Sequence, residues 1–96
     1  MMKPAKRYEW LERWLAKGGT QQFADVLDSD LVVAYVEATG ANCSYTMIGA
    51  PRCPQLGRDL AAMHADDKLA RQSIGLPAGD ASMGFPKWVY SYSLKL

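Results

Sequence analysis

Residues that build catalytic sites are scarce in this sequence. Its 96 residues include a single histidine, His64, and no acid–base or nucleophilic partner stands at a typical spacing from it. No glycine-rich loop of the kind that cradles phosphate occurs either. Gly18, Gly19 and Gly40 instead stand where helices are expected to end. The sequence therefore predicts a protein that is not an enzyme and that holds no cofactor.

Cysteine is also rare, which limits the cross-links that the chain can form. Cys43 and Cys53 are the two cysteines, with nine residues between them. In a reducing compartment the ordinary state of such a pair is two free thiols, and a disulfide is the alternative. A zinc site would have to add His64 and Asp66 or Asp67, without the C-x-x-C spacing of structural zinc sites. We therefore expect reduced thiols and no metal.

Long apolar runs are missing as well. No stretch approaches the roughly 20 apolar residues of a membrane span, and the charged N-terminal segment lacks the apolar stretch of a signal peptide. We therefore expect a cytoplasmic protein without a membrane partner. Three Trp, five Tyr and two Phe, in a chain that is 49% hydrophobic, supply the apolar surface of an ordered core. The length suits one domain over residues 1–96.

The charged residues are segregated along the chain, although the net charge is only +1. Residues 1–19 carry five basic side chains against two acidic ones. Residues 20–48 carry four acidic side chains and no Lys or Arg, and residues 49–96 carry six basic and four acidic ones. A near-neutral protein with this distribution can still present a basic face.

Residues 6–17 have the pattern of an amphipathic helix. Its apolar positions fall at helical spacing on one wide arc: Tyr8, Trp10, Leu11, Trp14 and Leu15. The two glycines at positions 18 and 19 end this helix, and Thr20 is a suitable N-cap for another. That second helix is expected over residues 21–28 and is short.

Asp28 and Ser29 signal the start of a further helix, over residues 30–39, which Gly40 ends. Its valines would also suit a strand. On a helix, however, one face gathers the apolar residues Leu31, Val32, Tyr35 and Val36, and the acidic residues lie opposite. We therefore predict a helix here. Residues 41–53 follow as a loop or a short extended piece, punctuated by glycine and proline.

Pro54 suits the first turn of a helix, and residues 54–65 continue with a helical pattern. Leu56, Leu60 and Met63 form the stripe that is predicted to be buried. The opposite face carries small and polar residues: Gln55, Arg58, Ala61, Ala62 and Ala65. Because alanine is small, such a face can lie close against another surface.

The C-terminal part has the pattern of two strands joined by a turn-rich segment. Residues 68–75 suit a short strand, and residues 77–86 contain the glycines and prolines of a turn. Residues 87–95 alternate, with one face made of Trp88, Tyr90, Tyr92 and Leu94. We expect residues 69–75 to pair antiparallel with residues 87–94, and the aromatic face to be covered.

The order of helices, strand, turn-rich loop and strand resembles a winged helix-turn-helix DNA-binding domain, most clearly over residues 54–95. Residues 56–63 resemble its recognition helix, 68–71 the basic entry into the wing, and 88–92 the returning strand. The resemblance implies an α+β fold in which residues 20–66 form a helical core and 68–95 the wing hairpin. It also implies sequence-specific binding of double-stranded DNA by a small prokaryotic, phage-type or plasmid-type transcription regulator. One departure is that residues 41–53 replace the usual tight turn of the motif.

Carried onto this sequence, the resemblance implies that Gln55 and Arg58 contact bases, as Gln suits adenine and Arg suits guanine. The residues implied to contact phosphates are Arg52, Lys68, Arg71 and Lys87. Such regulators often dimerise through a terminal helix, so the candidate interface of a homodimer is formed by Trp10, Leu11 and Trp14. The alternative is a winged-helix module that binds protein, such as a phage-type inhibitor or antirepressor. The acidic block at residues 20–48 favours that alternative.

Overall fold

The computed structural model describes residues 1–17, 22–47, 49–76 and 88–95. Over these residues it contains three helices and two small antiparallel sheets, which confirms the α+β class. The elements in chain order are α1 (Pro4–Leu15), α2 (Ser29–Thr39), β1 (Ser44–Tyr45), β2 (Pro51–Arg52), α3 (Pro54–Ala65), β3 (Leu69–Gly75) and β4 (Trp88–Leu94).

Helix α1 begins and ends two residues earlier than the amphipathic pattern predicts. Pro4 occupies the first turn, where its fixed φ fits the helix and its missing N–H costs nothing. The buried face of the helix carries Arg7, Leu11 and Leu15, which stand four residues apart. The predicted stop at positions 18 and 19 and the cap at Thr20 lie outside the described residues.

The short helix predicted over residues 21–28 is wrong for residues 22–28, and Gln21 lies outside the described residues. Ala24 is fully buried and forms an isolated antiparallel bridge with Tyr92 of β4. The Ala24 amide donates to the Tyr92 carbonyl at 2.8 Å, and the Tyr92 amide donates to the Ala24 carbonyl at 2.7 Å. The Asp25 carboxylate accepts from the Leu27 amide at 2.8 Å, a local turn that competes with helix formation. The segment therefore serves as a third, strand-like neighbour of the hairpin.

Helix α2 confirms the sequence prediction at both ends. The Asp28 carboxylate caps it by accepting from the amides of Asp30 (3.0 Å) and Leu31 (3.3 Å). Gly40 ends it with φ +75°, a left-handed backbone conformation that residues other than glycine rarely adopt. The apolar face predicted from the sequence is buried at Leu31, Val32 and Tyr35.

Residues 41–53 contain a small antiparallel sheet, in which Ser44 pairs with Arg52 and Tyr45 with Pro51. This agrees with the expected short extended piece. Helix α3 follows at once and confirms the prediction for residues 54–65, with Leu56, Leu60 and Met63 fully buried. The helix is therefore anchored by its apolar stripe.

Strands β3 and β4 pair antiparallel, from Leu69 with Leu94 to Gly75 with Trp88, as predicted. The turn expected at residues 77–86 lies outside the described residues. The prediction that one aromatic face of β4 is covered is wrong at Trp88, which is 49% exposed, while Val89 on the other face is buried. The reason is the position of Trp88 at the end of β4, opposite Gly75 and beyond the core that Tyr92 closes.

The core joins all three helices to the base of the hairpin. Its fully buried members come from α1, α2, α3 and β3 and from Ala24 in the segment before α2, and Tyr92 closes it from β4. No helix in the described ranges combines the length and the apolar character that crossing a membrane requires.

Candidate nucleic-acid interface

Helix α3 turns a face of small side chains away from the core. Ala61 and Ala62 are half-buried, and Ala65 and Arg58 are exposed. Arg52, on β2 just before the helix, is also exposed. Arg58 is therefore the large cationic side chain on a face that otherwise has little bulk.

The two residues predicted to contact bases are hydrogen-bonded to each other. Arg58 Nη2 donates to Gln55 Oε1 at 3.1 Å, one helical turn away. Gln55 Nε2 in turn donates to Asp59 Oδ1 at 2.8 Å. Both side chains border an open cleft of about 330 Å³, whose other lining residues are Met1, Gly40, Asn42 and Pro54. The side chain of Gln55 is thus engaged within the protein, whereas Arg58 donates a single hydrogen bond, to Gln55, among the residues that the structure describes.

Asp59 lies beneath this pair and is 1% exposed. Arg7 approaches it from α1 with a two-pronged contact, Nε to Oδ2 at 2.7 Å and Nη2 to Oδ1 at 3.1 Å. Tyr35 approaches from α2, and its hydroxyl donates to Asp59 Oδ2 at 2.5 Å. Arg7 Nη1 also donates to the Met2 carbonyl at 2.6 Å. One carboxylate of α3 therefore connects the three helices. Its hydrogen bonds are charge-assisted, and such bonds are stronger than those between neutral groups.

The pKa shifts of this cluster follow from burial and from these bonds. Burial alone would raise the pKa of Asp59, but the hydrogen bonds from Arg7, Tyr35 and Gln55 hold that pKa below its ordinary value. Burial, followed by the bond to Asp59, raises the pKa of Tyr35. The bond to Asp59 raises the pKa of Arg7 against the opposing effect of burial. Asp59 and Arg7 are therefore both charged at neutral pH.

Sequence reasoning missed this cluster, although a signal was present. Arg7 falls at helical spacing on the stripe of Leu11 and Leu15, and Asp59 falls on the stripe of Leu56 and Met63. A charged residue on each of two apolar stripes, with opposite signs, is the pattern that a buried ion pair leaves in a sequence. Neither residue was predicted to be buried.

The cations predicted at the wing follow α3 in the chain: Lys68 stands just before β3, and Arg71 lies on it. Lys68 and Arg71 are both exposed, and the Arg71 guanidinium lies 4.1 Å from the centre of the Tyr90 ring. Trp88 meets the same tyrosine edge to face, at 4.6 Å between ring centres. Lys87, the fourth predicted phosphate contact, lies outside the described residues.

One cation near the base of the hairpin is paired with a carboxylate. Lys95 forms an ion pair with Asp67, and this pair holds the pKa of Asp67 below its ordinary value. His64 has a hydrogen-bond partner, since its Nδ1 lies 2.9 Å from the Leu69 carbonyl oxygen, and its ring packs on Tyr92.

The exposed cations Arg52, Arg58, Lys68 and Arg71 make no ion pair with any carboxylate of the described residues.

The three residues predicted to form a dimer interface differ in their exposure. Leu11 is fully buried in the chain's own core and offers no surface to a second copy, because it stands on the inner stripe with Leu15. Trp10 is half-buried and packs edge-on against Tyr35, at 6.0 Å between ring centres. Trp14 is half-buried as well. Only the two tryptophans therefore keep surface for a partner.

Both cysteines are free thiols, Cys43 half-buried and Cys53 buried. Within the ranges that the structure describes, no three side chains of His, Cys, Asp or Glu come together as a metal site would require.

Comparisons of the chain with protein-family models, with curated proteins and with solved structures returned no match. The basis for a functional assignment is therefore the geometry of α3, the Asp59 cluster and the hairpin.

Proposed function

We propose that the chain is a winged-helix domain that binds double-stranded DNA sequence-specifically, with α3 in the major groove and the β3–β4 hairpin beside it. The observation that carries the proposal is Arg58, an exposed guanidinium that is hydrogen-bonded to Gln55 on the alanine-lined face of a well-anchored helix. Arginine in such a position suits bidentate contact with guanine. A helix lined by small residues can approach the floor of the groove.

The order of elements supports the same proposal. A helix, an extended segment at Ala24, two further helices and a hairpin follow one another, and the extended segment borders β4 on the edge opposite β3. The small sheet at residues 41–53 separates the two helices of the motif, where the family has a tight turn. This insertion adds Arg52 to the region before α3.

The distribution of charge supports the remaining contacts. Arg52, Lys68 and Arg71 are exposed and are proposed to meet phosphates, as is Lys87 from its place in the sequence. Such contacts hold the protein in register without reading bases. The biological role that we propose is that of a small prokaryotic, phage-type or plasmid-type transcription regulator in the cytoplasm.

Fluorescence anisotropy with a selected duplex and with unrelated duplexes, at several salt concentrations, tests this proposal. Arg58→Ala should weaken the selected site by about 1–3 kcal/mol and relax its sequence preference. Lys68→Ala should weaken all duplexes alike and reduce the slope of log Kd against log salt by about 1. Lys6→Ala, which removes an exposed cation of α1, is the charge-matched control and should change neither quantity. A protein that ignores duplex DNA at low salt contradicts the proposal.

A homodimer is proposed as the binding form, with Trp10 and Trp14 as its contacts. Both keep part of their surface after packing on the core. Sedimentation equilibrium at several concentrations tests the assembly, and Trp14→Ser should weaken it. A chain that stays monomeric at high concentration, with or without DNA, excludes this assembly.

The second candidate function is binding of a protein partner, and exposed apolar side chains favour it. Phe23 is 63% exposed, Tyr45 68% and Met47 94%, although such side chains are usually covered. The same DNA titration separates the two candidates. A protein-binding module shows weak, sequence-independent attraction to duplexes, and Arg58→Ala then changes no preference.

A further inference from the structure

Gln55 was predicted to contact a base, but both ends of its amide are already occupied inside the protein. Its Nε2 donates to Asp59 Oδ1 at 2.8 Å, and its Oε1 accepts from Arg58 Nη2 at 3.1 Å. A base contact of the bidentate kind that glutamine makes with adenine needs both of these groups. The amide has one further N–H and one further lone pair, but its bonds to Asp59 and Arg58 fix the direction in which these point.

The orientation of that amide is dictated by its two partners. An ionised aspartate only accepts hydrogen bonds, and an arginine only donates them. With the amide turned over, its oxygen would face the carboxylate of Asp59 and its NH₂ group would face the guanidinium of Arg58. Only one orientation satisfies both neighbours, so the amide transmits the position of Asp59 to Arg58.

Asp59 is itself a fixed point, because it is 1% exposed and held from three sides. Arg7 binds it with two N–H groups, and Tyr35 donates to it at 2.5 Å. A buried side chain with so many bonds has little freedom to move. The chain of contacts from Arg7 to Arg58 therefore begins in the core and ends on the exposed face of α3.

We propose that Gln55 is a positioning residue, which holds the Arg58 guanidinium in place for a guanine and reads no base itself. This inference rests on the proposed function and deepens it by naming the base that α3 selects. Arg58 uses one N–H group on Gln55 and keeps the others for the acceptor atoms N7 and O6 of guanine. Holding an exposed arginine in advance lowers the entropy lost when it binds.

A double-mutant cycle on duplex binding tests the assignment. Gln55→Met keeps the length of the side chain and removes both hydrogen bonds, while Asp59 retains Arg7 and Tyr35, so the fold is preserved. Affinity is measured by fluorescence anisotropy for the wild type, Gln55→Met, Arg58→Ala and the double variant. Each is titrated with the best selected duplex and with duplexes changed at one base pair at a time.

If Gln55 positions Arg58, Gln55→Met weakens the best site by about 2–12-fold, the range expected for one side chain that must be ordered on binding. The loss falls on the same guanine that Arg58→Ala affects. When Gln55→Met is added to the Arg58→Ala variant, it changes the affinity less than twofold. If Gln55 reads a base, Gln55→Met lowers the affinity through a different base pair. The fold-losses of Gln55→Met and Arg58→Ala then multiply in the double variant, and that result overturns the inference.

Side-chain NMR relaxation of the Arg58 Nε–H group in the free protein gives a readout that needs no DNA. The wild type should show a restricted guanidinium, and Gln55→Met should release it, whereas the matched variant Lys68→Met should not. An Arg58 signal that is equally mobile in the wild type and in Gln55→Met overturns the positioning role. Failure of the wild type to bind any duplex, with a restricted Arg58, overturns the proposed function instead.

Discussion

Replacing Arg7 by methionine tests whether the Asp59 cluster holds the three helices together. The variant removes two hydrogen bonds to Asp59 and one to the Met2 carbonyl, and it leaves the carboxylate buried with only the neutral donors Tyr35 and Gln55. Removing one partner of a buried ion pair costs about 3–5 kcal/mol. Because two donors remain, we expect a loss near 3 kcal/mol at pH 7. That is a large fraction of the roughly 5–15 kcal/mol by which such a domain is stable.

The pH dependence of the variant should have the opposite sign to that of the wild type. In the wild type the pKa of Asp59 lies below the value of about 3.9 for an unfolded aspartate, so its contribution is present above pH 4 and is lost as the pH falls through the folded pKa. Without Arg7, burial is the largest single influence that remains, and we expect it to outweigh the bonds from Tyr35 and Gln55 and to raise the pKa of Asp59. The carboxyl then stabilises the fold below pH 4, and stability is lost as the pH rises through the raised pKa.

Urea unfolding between pH 4 and pH 7 measures both effects. At a slope of about 1–3 kcal/mol per M, a loss of 3 kcal/mol lowers the midpoint by at least about 1 M. Lys6→Met is the matched control, because Lys6 is exposed and its ion pair with Glu9, at 3.6 Å, is exposed as well; its cost should stay within about 0.5 kcal/mol. The double variant Arg7→Met/Asp59→Asn should lose the new pH dependence. Equal midpoints for Arg7→Met and Lys6→Met would refute the reasoning.

Three further predictions concern the packing of the fold. Leu60→Ala should cost about 2–5 kcal/mol in chemical denaturation, because Leu60 is fully buried; a change within error contradicts its place in the core. Gly57→Ala should raise stability by about 0.5–1 kcal/mol, since alanine favours helix and its Cβ would meet Val26 at an ordinary 3.5 Å; a fall in the thermal midpoint indicates a clash instead. The amides of Ala24 and Tyr92 should exchange slowly with deuterium, because each donates to the other residue's carbonyl; fast exchange at Ala24 rejects the bridge.

The elements that sequence reasoning found are those with local signals. Helix α2 is bounded by Asp28 and Gly40, an N-cap side chain and a left-handed glycine that act within one turn of the helix. Helix α3 is marked by Pro54 and by a stripe at helical spacing. The hairpin follows from the alternation of β4 and the turn-rich residues before it. In each case the information lies within the element or next to it.

The segment at residues 22–28 shows where local signals fail. Its composition suits a short helix, but its backbone bonds at Ala24 go to Tyr92, far along the chain. Those bonds exist only after the hairpin has packed on the core, so no pattern within the segment reveals them. The same holds for Trp88, whose place on an alternating face says nothing about how far the core extends beneath it.

The net charge of +1 also gave little guidance, because a sum does not show which cations are exposed and which are paired with a carboxylate. Arg7 and Asp59 neutralise each other in the core, and Lys95 is paired with Asp67. The four exposed cations between residues 52 and 71 make no ion pair within the part of the chain that the structure describes. A polyanion would meet these cations, and the salt dependence of binding follows the number of cations that it meets rather than the net charge. The proposed interface is therefore compatible with a protein that is almost neutral overall.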